Sequence, residues 1–376
     1  MSSSSPSKPP PPSTPTDLPP SPALPPDSLI LITGANGLLA SHLCSTLLAA
    51  GYRVRGTVRS LHRCRWLADL FAADRFELFE VPDMATPGAF ADAVRGCAGV
   101  VHVAAPMLTE TDVGKIVEGA VAGVREVLGA VEGTWEGVGA GAGGGEGVRR
   151  VVVTSSAVAV RGMGEFVVGG GGGGKKVRAD EWNEGAVAAV AEGGGLEGMG
   201  VEERVMLAYA AGKTLAEREV WEWEERVGRG RGVVVNTVVP SGVFGRPLSH
   251  EHQGYPSSSQ WAPKAFRGDP DFNKFPSFYW ISIKDMTRLH VAALLHPGVQ
   301  NERIFGFAGT YTVNDFLAFY RKHYPGRQFP VDVPGVVSNF VEVEPAKRAE
   351  ELLKDMGRPG FEALEDTVLD NIIDIA

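Results

Sequence analysis

The sequence predicts an α/β protein: a doubly wound parallel sheet with a smaller C-terminal α/β lobe. Three observations carry this. Apolar runs of strand length alternate with helical stretches as far as about residue 240. The first run, Leu29-Ile30-Leu31-Ile32, passes through Thr33-Gly34-Ala35-Asn36-Gly37-Leu38-Leu39-Ala40 into a helical stretch closed by Gly51. Beyond that point the alternation loosens and aromatic side chains accumulate.

Composition narrows the function before any motif is weighed. With 44% hydrophobic and 22% charged residues, the chain has the balance of an ordinary globular protein. Its 376 residues are enough to bury a large core. A net charge of −9 argues against nucleic acid as the main partner, because no basic patch is evident to neutralise phosphates. No apolar run approaches the roughly 20 residues that span a bilayer, so no membrane partner is expected. Cys44, Cys64 and Cys97 lack metal-ligand spacing; no metal site is expected, and their odd number suits a reducing compartment, the cytoplasm. Residues 1–27 contain eleven prolines and almost no large apolar side chain. They read as a disordered tail without the apolar core of a signal peptide. Residues 139–147 and 169–174 are glycine-rich and read as flexible surface insertions, the second within a longer interruption over 161–200. The expected organisation is therefore tail 1–27, nucleotide-binding domain 28–240 and substrate-binding lobe 241–376.

Taken in order, the first strand, turn and helix form a dinucleotide-binding pattern. Gly34 permits a sharp turn, Gly37 lets backbone approach a pyrophosphate, and Ala40 lets helix and strand pack closely. The helix start, with Asn36 and Leu38 beside the glycines, offers N–H groups and a favourable dipole to negative charge. A second strand spans 53–59. At its end, where an acid would bind the ribose of NAD, the chain has Arg59, with Arg63 four residues on. A cation suits a 2′-phosphate, so NADP(H) is expected over NAD(H), unless both arginines are simply a solvated helix start. A helix over 66–73 and a third strand over 76–81 follow. Asp83 then either accepts from the adenine amino group or caps the turn before Ala85. The fourth strand, from Gly99, leaves through small residues at Ala104-Ala105-Pro106, which leave room for a cofactor; His102 within it reads as a packed core histidine. An amphipathic helix over 112–131 leads to a fifth strand from Arg150 that ends in Ser155-Ser156, where open α/β sheets bind ligands.

After the 161–200 interruption, a strong helix opening at Glu202 carries Tyr209 and Lys213 on one face. A nearby ammonium lowers a phenol's pKa from its ordinary value of about 10, toward the range useful for proton transfer. A sixth strand over 231–239 and Pro240-Ser241-Gly242-Val243-Phe244-Gly245 lead into the lobe. There Tyr255, Trp261, Phe266, Phe272, Phe275, Phe278, Tyr279 and Trp280 either line an apolar pocket or form a second core. Residues 283–295 read as a helix joining lobe to sheet, with Asp285 structural. A strand near 305–307, a helix over 312–323 and helices after Pro345 complete the chain.

Together, Thr33-Gly34-x-x-Gly37-x-x-Ala40, Ser155-Ser156 and Tyr209-x-x-x-Lys213 resemble the extended short-chain dehydrogenase/reductases. More narrowly, Gly56-Thr57-Val58-Arg59-Ser60, Val101-His102-Val103-Ala104-Ala105-Pro106, Pro240 to Gly245 and Ile283-Lys284-Asp285-Met286 resemble the dihydroflavonol reductase-like branch. That branch includes fungal aldehyde and ketone reductases similar to the yeast methylglyoxal reductase. The resemblance runs from about Ser28 to the C-terminus and implies a Rossmann-type fold. It implies reduction of a small-molecule carbonyl substrate with NADPH, in a monomer or homodimer. It further implies that Ser156, with Ser155 as second choice, holds the carbonyl oxygen, that Tyr209 supplies the proton, and that Lys213 binds the nicotinamide ribose. Arg59 and Arg63 match positions that clamp the 2′-phosphate, Asp83 matches the adenine contact, and Met84, Ala104 and Pro240 complete the expected cofactor-binding set. The interval of 53 residues between Ser156 and Tyr209 departs from the family's usual length. Two rivals use the same residues: a sugar-nucleotide epimerase/dehydratase or hydroxysteroid dehydrogenase, and a non-catalytic NADP(H)-sensing protein. Tightly held NAD, typical of the epimerases, fits poorly with the Arg59 and Arg63 pair. Sensing proteins tend to lose the Tyr/Lys pair.

Overall fold

The computed structural model describes residues 17–71, 74–106, 110–135, 147–169, 176–191, 196, 198–274 and 277–376. In chain order the strands are β1 (Leu29–Ile32), β2 (Arg53–Val58), β3 (Phe76–Glu80), β4 (Gly99–His102), β5 (Arg150–Thr154), β6 (Val234–Pro240), β7 (Gly242–Phe244), β8 (Phe278–Ser282), β9 (Arg303–Gly306) and β10 (Gly309–Tyr311). The helices are α1 (Leu38–Ala49), α2 (Trp66–Phe71), α3 (Val113–Gly133), α4 (Glu184–Ala191), α5 (Val201–Trp223), the single turn α6 (Arg229–Arg231), α7 (His250–Gln253), α8 (Trp261–Arg267), α9 (Ile283–Leu295), α10 (Val313–His323), α11 (Ala346–Asp355) and α12 (Leu364–Ile372).

Seven strands form one sheet in the order β3-β2-β1-β4-β5-β6-β9, and every adjacent pair in it is parallel. This is the Rossmann-type doubly wound sheet expected. Side chains alternate across it, as a pleated strand requires. Ile30, Ile32, Val101, Val152, Val238 and Ile304 pack with residues of α1, α9 and α11 on one face. Leu29, Leu31, Val100, Val151, Val153 and Val235 pack with residues of α3 and α5 on the other. Each strand is thus apolar on both sides, which explains continuous runs such as Leu29–Ile32. β9 and α9 lie beyond residue 240 in sequence yet belong to the main sheet and its cover. α11 packs along the β9 edge. A three-stranded sheet, β10-β8-β7, backs a second core. In it Phe244 meets Tyr311 edge-on with centroids 5.0 Å apart and Phe266 meets Tyr320 at 5.1 Å, so most of the lobe's aromatics pack against one another.

Three sequence expectations are corrected. Residues 17–27 are not a disordered tail. Leu24 is buried, the Ala23 N–H donates to Leu295 O at 2.7 Å, and Tyr52 Oη donates to Leu24 O at 2.9 Å. Asp17 is buried against Arg288, whose guanidinium also reaches Asp285 and Glu362. A proline-rich strand of chain can dock without regular structure, provided its carbonyls and few apolar side chains find partners. Second, the 161–200 interruption is largely built into the fold. Phe166 and Val177 are fully buried, and Val167 and Val177 bridge to Phe340 and Val343 near the C-terminus. Third, the fourth strand stops at His102, before the small-residue exit. The glycine-rich stretches themselves, apart from Gly147 and Gly169, lie outside the described residues.

Candidate active site

The strand order reverses between β1 and β4, and a cleft lies at the carboxyl ends of these strands. Gly34 sits at φ +69°, and a Cβ there would press to 3.3 Å on Ala104, so glycine serves both the turn and the close approach to β4. The turn is held from β2: Ala35 N donates to Thr57 O at 2.9 Å and Gly34 N donates to Thr57 Oγ1 at 3.3 Å. Thr33 Oγ1 accepts from both Val103 N and Ala104 N at 3.0 Å. Its own proton therefore goes to His102 Nδ1, also at 3.0 Å, which leaves the ring's proton on Nε2. Burial, with the Lys213 charge adding to it, drops His102 to about 3, so it stays neutral as a strut between the strand ends.

The cleft encloses about 440 Å³ and is lined by Gly34, Asn36, Gly37, Leu38, Arg59, Asp83, Met84 and Ala104 among others. No side chain caps the start of α1, whose N-cap is Gly37, and its first turn carries no acid. Its orphan N–H groups can therefore serve an anion. A Cβ on Gly37 would come to 3.2 Å from Gly34 O. Arg59 is exposed at the end of β2. These features fit a dinucleotide carrying an extra phosphate. Two expected residues lie apart: Arg63 is exposed on the turn His62–Cys64, and Pro240 pairs with Gly306 at the end of β6, neither of them among the cleft lining. Asp83 lines the cleft while accepting from Ala85 N at 2.9 Å, so its turn-capping role is realised.

Ala104-Ala105-Pro106 also line a smaller neighbouring hollow, together with Tyr209, Lys213, Ser155, Thr154 and Glu217. Tyr209 hydrogen-bonds Ser156. Ser156 Oγ also receives Val158 N at 3.4 Å; of the two serines it is the one that acts on Tyr209. Ser155 Oγ instead donates to Glu217 Oε2 at 2.6 Å and is buried. Lys213 Nζ donates to Thr154 O at 2.9 Å. Thr154 Oγ1 donates to His290 Nε2 at 2.8 Å, because His290 spends its Nδ1 proton on Met286 O.

The expected lowering of the Tyr209 phenol is corrected. Burial raises it above its ordinary value, the Ser156 hydrogen bond opposes that, and the Lys213 ammonium is committed to Thr154. Lys213 itself is pulled down to about 8 by burial, with Glu217 opposing.

Two site residues escaped the sequence reading. Glu217 lies one further turn along the Tyr209–Lys213 face; a lone acid on the buried face of a helix was the available signal. Gln253 in α7 donates to Asn36 O, Gly37 O and Ser41 Oγ at 3.1, 3.2 and 2.9 Å, strapping the glycine turn from the second core. More than 200 residues separate it from that turn, and nothing local marks it.

Fold and cleft together define a dinucleotide-binding α/β protein. The model of the NAD dependent epimerase/dehydratase family matches residues 30–167. Aldehyde reductase 2 of Sporidiobolus salmonicolor is 32% identical over 354 residues, covering 92% of this chain and 96% of that protein. Ketoreductase adrE of Penicillium roqueforti is 33% identical over 352 residues, covering 91% and 95%. Among solved structures, yeast methylglyoxal/isovaleraldehyde reductase Gre2 complexed with NADPH aligns with a TM-score of 0.74 at 22% identity, over 92% of this chain and 98% of that one. The chain belongs to the NAD dependent epimerase/dehydratase family, the extended short-chain dehydrogenase/reductases. Among the described residues no helix is long and apolar enough to cross a membrane, and no cluster of His, Cys, Asp and Glu could hold a metal ion.

Proposed function

We propose that this protein is an NADPH-dependent carbonyl reductase that converts a small aldehyde or ketone to an alcohol, with Tyr209 as proton donor. The observation that carries this reading is a pair of adjoining pockets: the glycine turn and Arg59 line one, Tyr209 and Lys213 the other, and Ala104-Ala105-Pro106 line both. NADPH, when bound, supplies the hydride. Gly34, Asn36, Gly37 and Leu38 would hold the pyrophosphate, Asp83 and Met84 the adenine end, and Ala104 the nicotinamide half; Pro240, off the cleft lining, is left without a direct contact. Arg59 meets the 2′-phosphate, with Arg63 as a second cation close by in sequence.

The chain's own chemistry is proton delivery. Ser156 orients the carbonyl oxygen, and Tyr209 gives that oxygen its proton. Burial keeps the phenol protonated, so the proton to be delivered is in place. Lys213 places a cation beside the ribose and the tyrosine. An electrophile whose oxygen gains negative charge is stabilised by donors already in place. The three buried free cysteines support a cytoplasmic protein, and we expect a monomer or homodimer.

Tyr209→Phe keeps the ring and removes the proton. Turnover should fall about 10²–10⁴-fold, the usual loss with a general acid, while NADPH binding is retained. A Phe variant with full turnover would refute the assignment.

A further inference from the structure

Glu217 is the most heavily supported buried charge near the site, and the reaction as described does not use it. It is 1% exposed. Its carboxylate accepts from Ser155 Oγ and Thr237 Oγ1, both at 2.6 Å, and from Arg303 Nε and Nη2 at 2.9 and 3.0 Å. These donors come from the end of β5, the middle of β6 and the start of β9, so one side chain of α5 gathers three neighbouring strands. Arg303 reaches on to Ala179 O, to Glu181 O at 2.9 Å, and stacks over Trp182 with its guanidinium carbon 4.0 Å from the ring centroid. Residues 179–182 of the 161–200 segment are thereby tied to the catalytic helix through the same pair.

We propose that Glu217, clamped by Arg303, is a positioning residue that balances the Lys213 charge from one helical turn away and engages the Ser155 proton, leaving Ser156 as the serine that serves the substrate oxygen. Three observations favour this over a merely structural ion pair. Glu217 lines the same hollow as Lys213 and Tyr209. It sits one helical turn from Lys213 on the same face. And it takes the one proton of the Ser155 hydroxyl, so that Ser155 has none to donate to a substrate oxygen, which explains how two adjacent serines are told apart. The groups that bear on Lys213 are Tyr209 and Glu217 from α5, His102 from β4 and, through Thr154, His290 from α9. His102 and His290 are held neutral by burial, to about 3 and about 4, so Glu217 supplies the negative charge among them. Burial raises the Glu217 carboxyl, but Arg303 and the hydroxyl donors outweigh it and keep the group ionised. Its charge in turn resists the desolvation that pulls Lys213 down.

The inference rests on Lys213 serving the proposed reduction, and its test is independent of turnover. In full-length protein labelled with 13C-lysine, without added nucleotide, the Lys213 signal is assigned by Lys213→Arg and titrated. The wild-type midpoint is expected at about 8. In Glu217→Gln it should fall by about one pH unit, and the alkaline limb of kcat should move down with it. An unchanged midpoint in a folded Gln variant overturns the proposal. Should that variant fail to fold because Arg303 is left uncompensated, Glu217→Gln with Arg303→Gln removes the pair together and should still lower the midpoint. A midpoint unchanged in the double variant overturns the proposal equally. Tyr209→Phe with full turnover would defeat the reductase reading and leave the Lys213 titration as it stands.

Discussion

Ser155 and Ser156 are chemically identical neighbours with opposite fates, and the difference lies in what each hydroxyl touches. Ser155 gives its proton to a buried carboxylate, whereas Ser156 meets Tyr209. Ser156→Ala should therefore lower kcat/KM by about 10²-fold or more, the usual loss of a donor at a developing oxyanion, and Ser155→Ala should act mainly on stability. Steady-state kinetics of the two variants side by side separates them; equal losses would contradict the assignment. At the far end of the cleft, Arg59→Glu should raise the KM for NADPH selectively, because a carboxylate repels a 2′-phosphate and accepts from a ribose hydroxyl. Equal effects on both nicotinamide cofactors would remove Arg59 from that role. Tyr209, Lys213 and the glycine turn were legible in the sequence because their geometry is local: one helical face, one tight turn. Glu217 and Gln253 were not, because what defines them are partners on strands and turns up to 217 residues away.

Among the elements, the N-terminal arm was the least legible. Composition alone made 17–27 a tail, since prolines cannot join a sheet and few side chains were available for burial. The segment is held instead by particular contacts: Leu24 in the main core, Asp17 on Arg288 and backbone to α9. Leu24→Ala should then cost about 2–5 kcal/mol, as a buried leucine does, and lower the urea midpoint of unfolding. A midpoint unchanged within error would restore the tail reading. The 161–200 segment teaches the same lesson. Its glycines dominate the sequence impression, but Phe166, Val177 and Asn183 are buried. By contrast α9 was read at its exact bounds, Ile283–Leu295, because an apolar periodic stretch needs no distant partner to be recognised.

At the scale of the whole molecule, two buried histidines and the half-buried His42 couple the fold to pH. Burial depresses His42 to about 4, His102 to about 3 and His290 to about 4, against an ordinary value near 6.5. Each is neutral in the folded state well below the pH at which the unfolded chain takes up its proton. Their stabilising share is therefore complete above about pH 6.5 and is lost as pH falls toward 4. Each contributes a slope of about 1.4 kcal/mol per pH unit inside that window. Urea titrations from pH 7 to pH 5 should show the midpoint falling steeply; a flat profile would mean the histidines are charged in the fold. The same three side chains brace the elements around the cleft: His42 Nε2 donates to Arg246 O at 3.0 Å, His102 ties β1 to β4, and His290 holds the end of β5.

The central claim, NADPH-dependent carbonyl reduction, is tested most directly by following nicotinamide oxidation with a panel of aldehydes, α-ketocarbonyls and flavonoid-type ketones, NADH being run in parallel. The account predicts turnover on at least one member with a marked preference for NADPH. NADPH that binds but is not oxidised by any of them, or an equal or better rate with NADH, would contradict it.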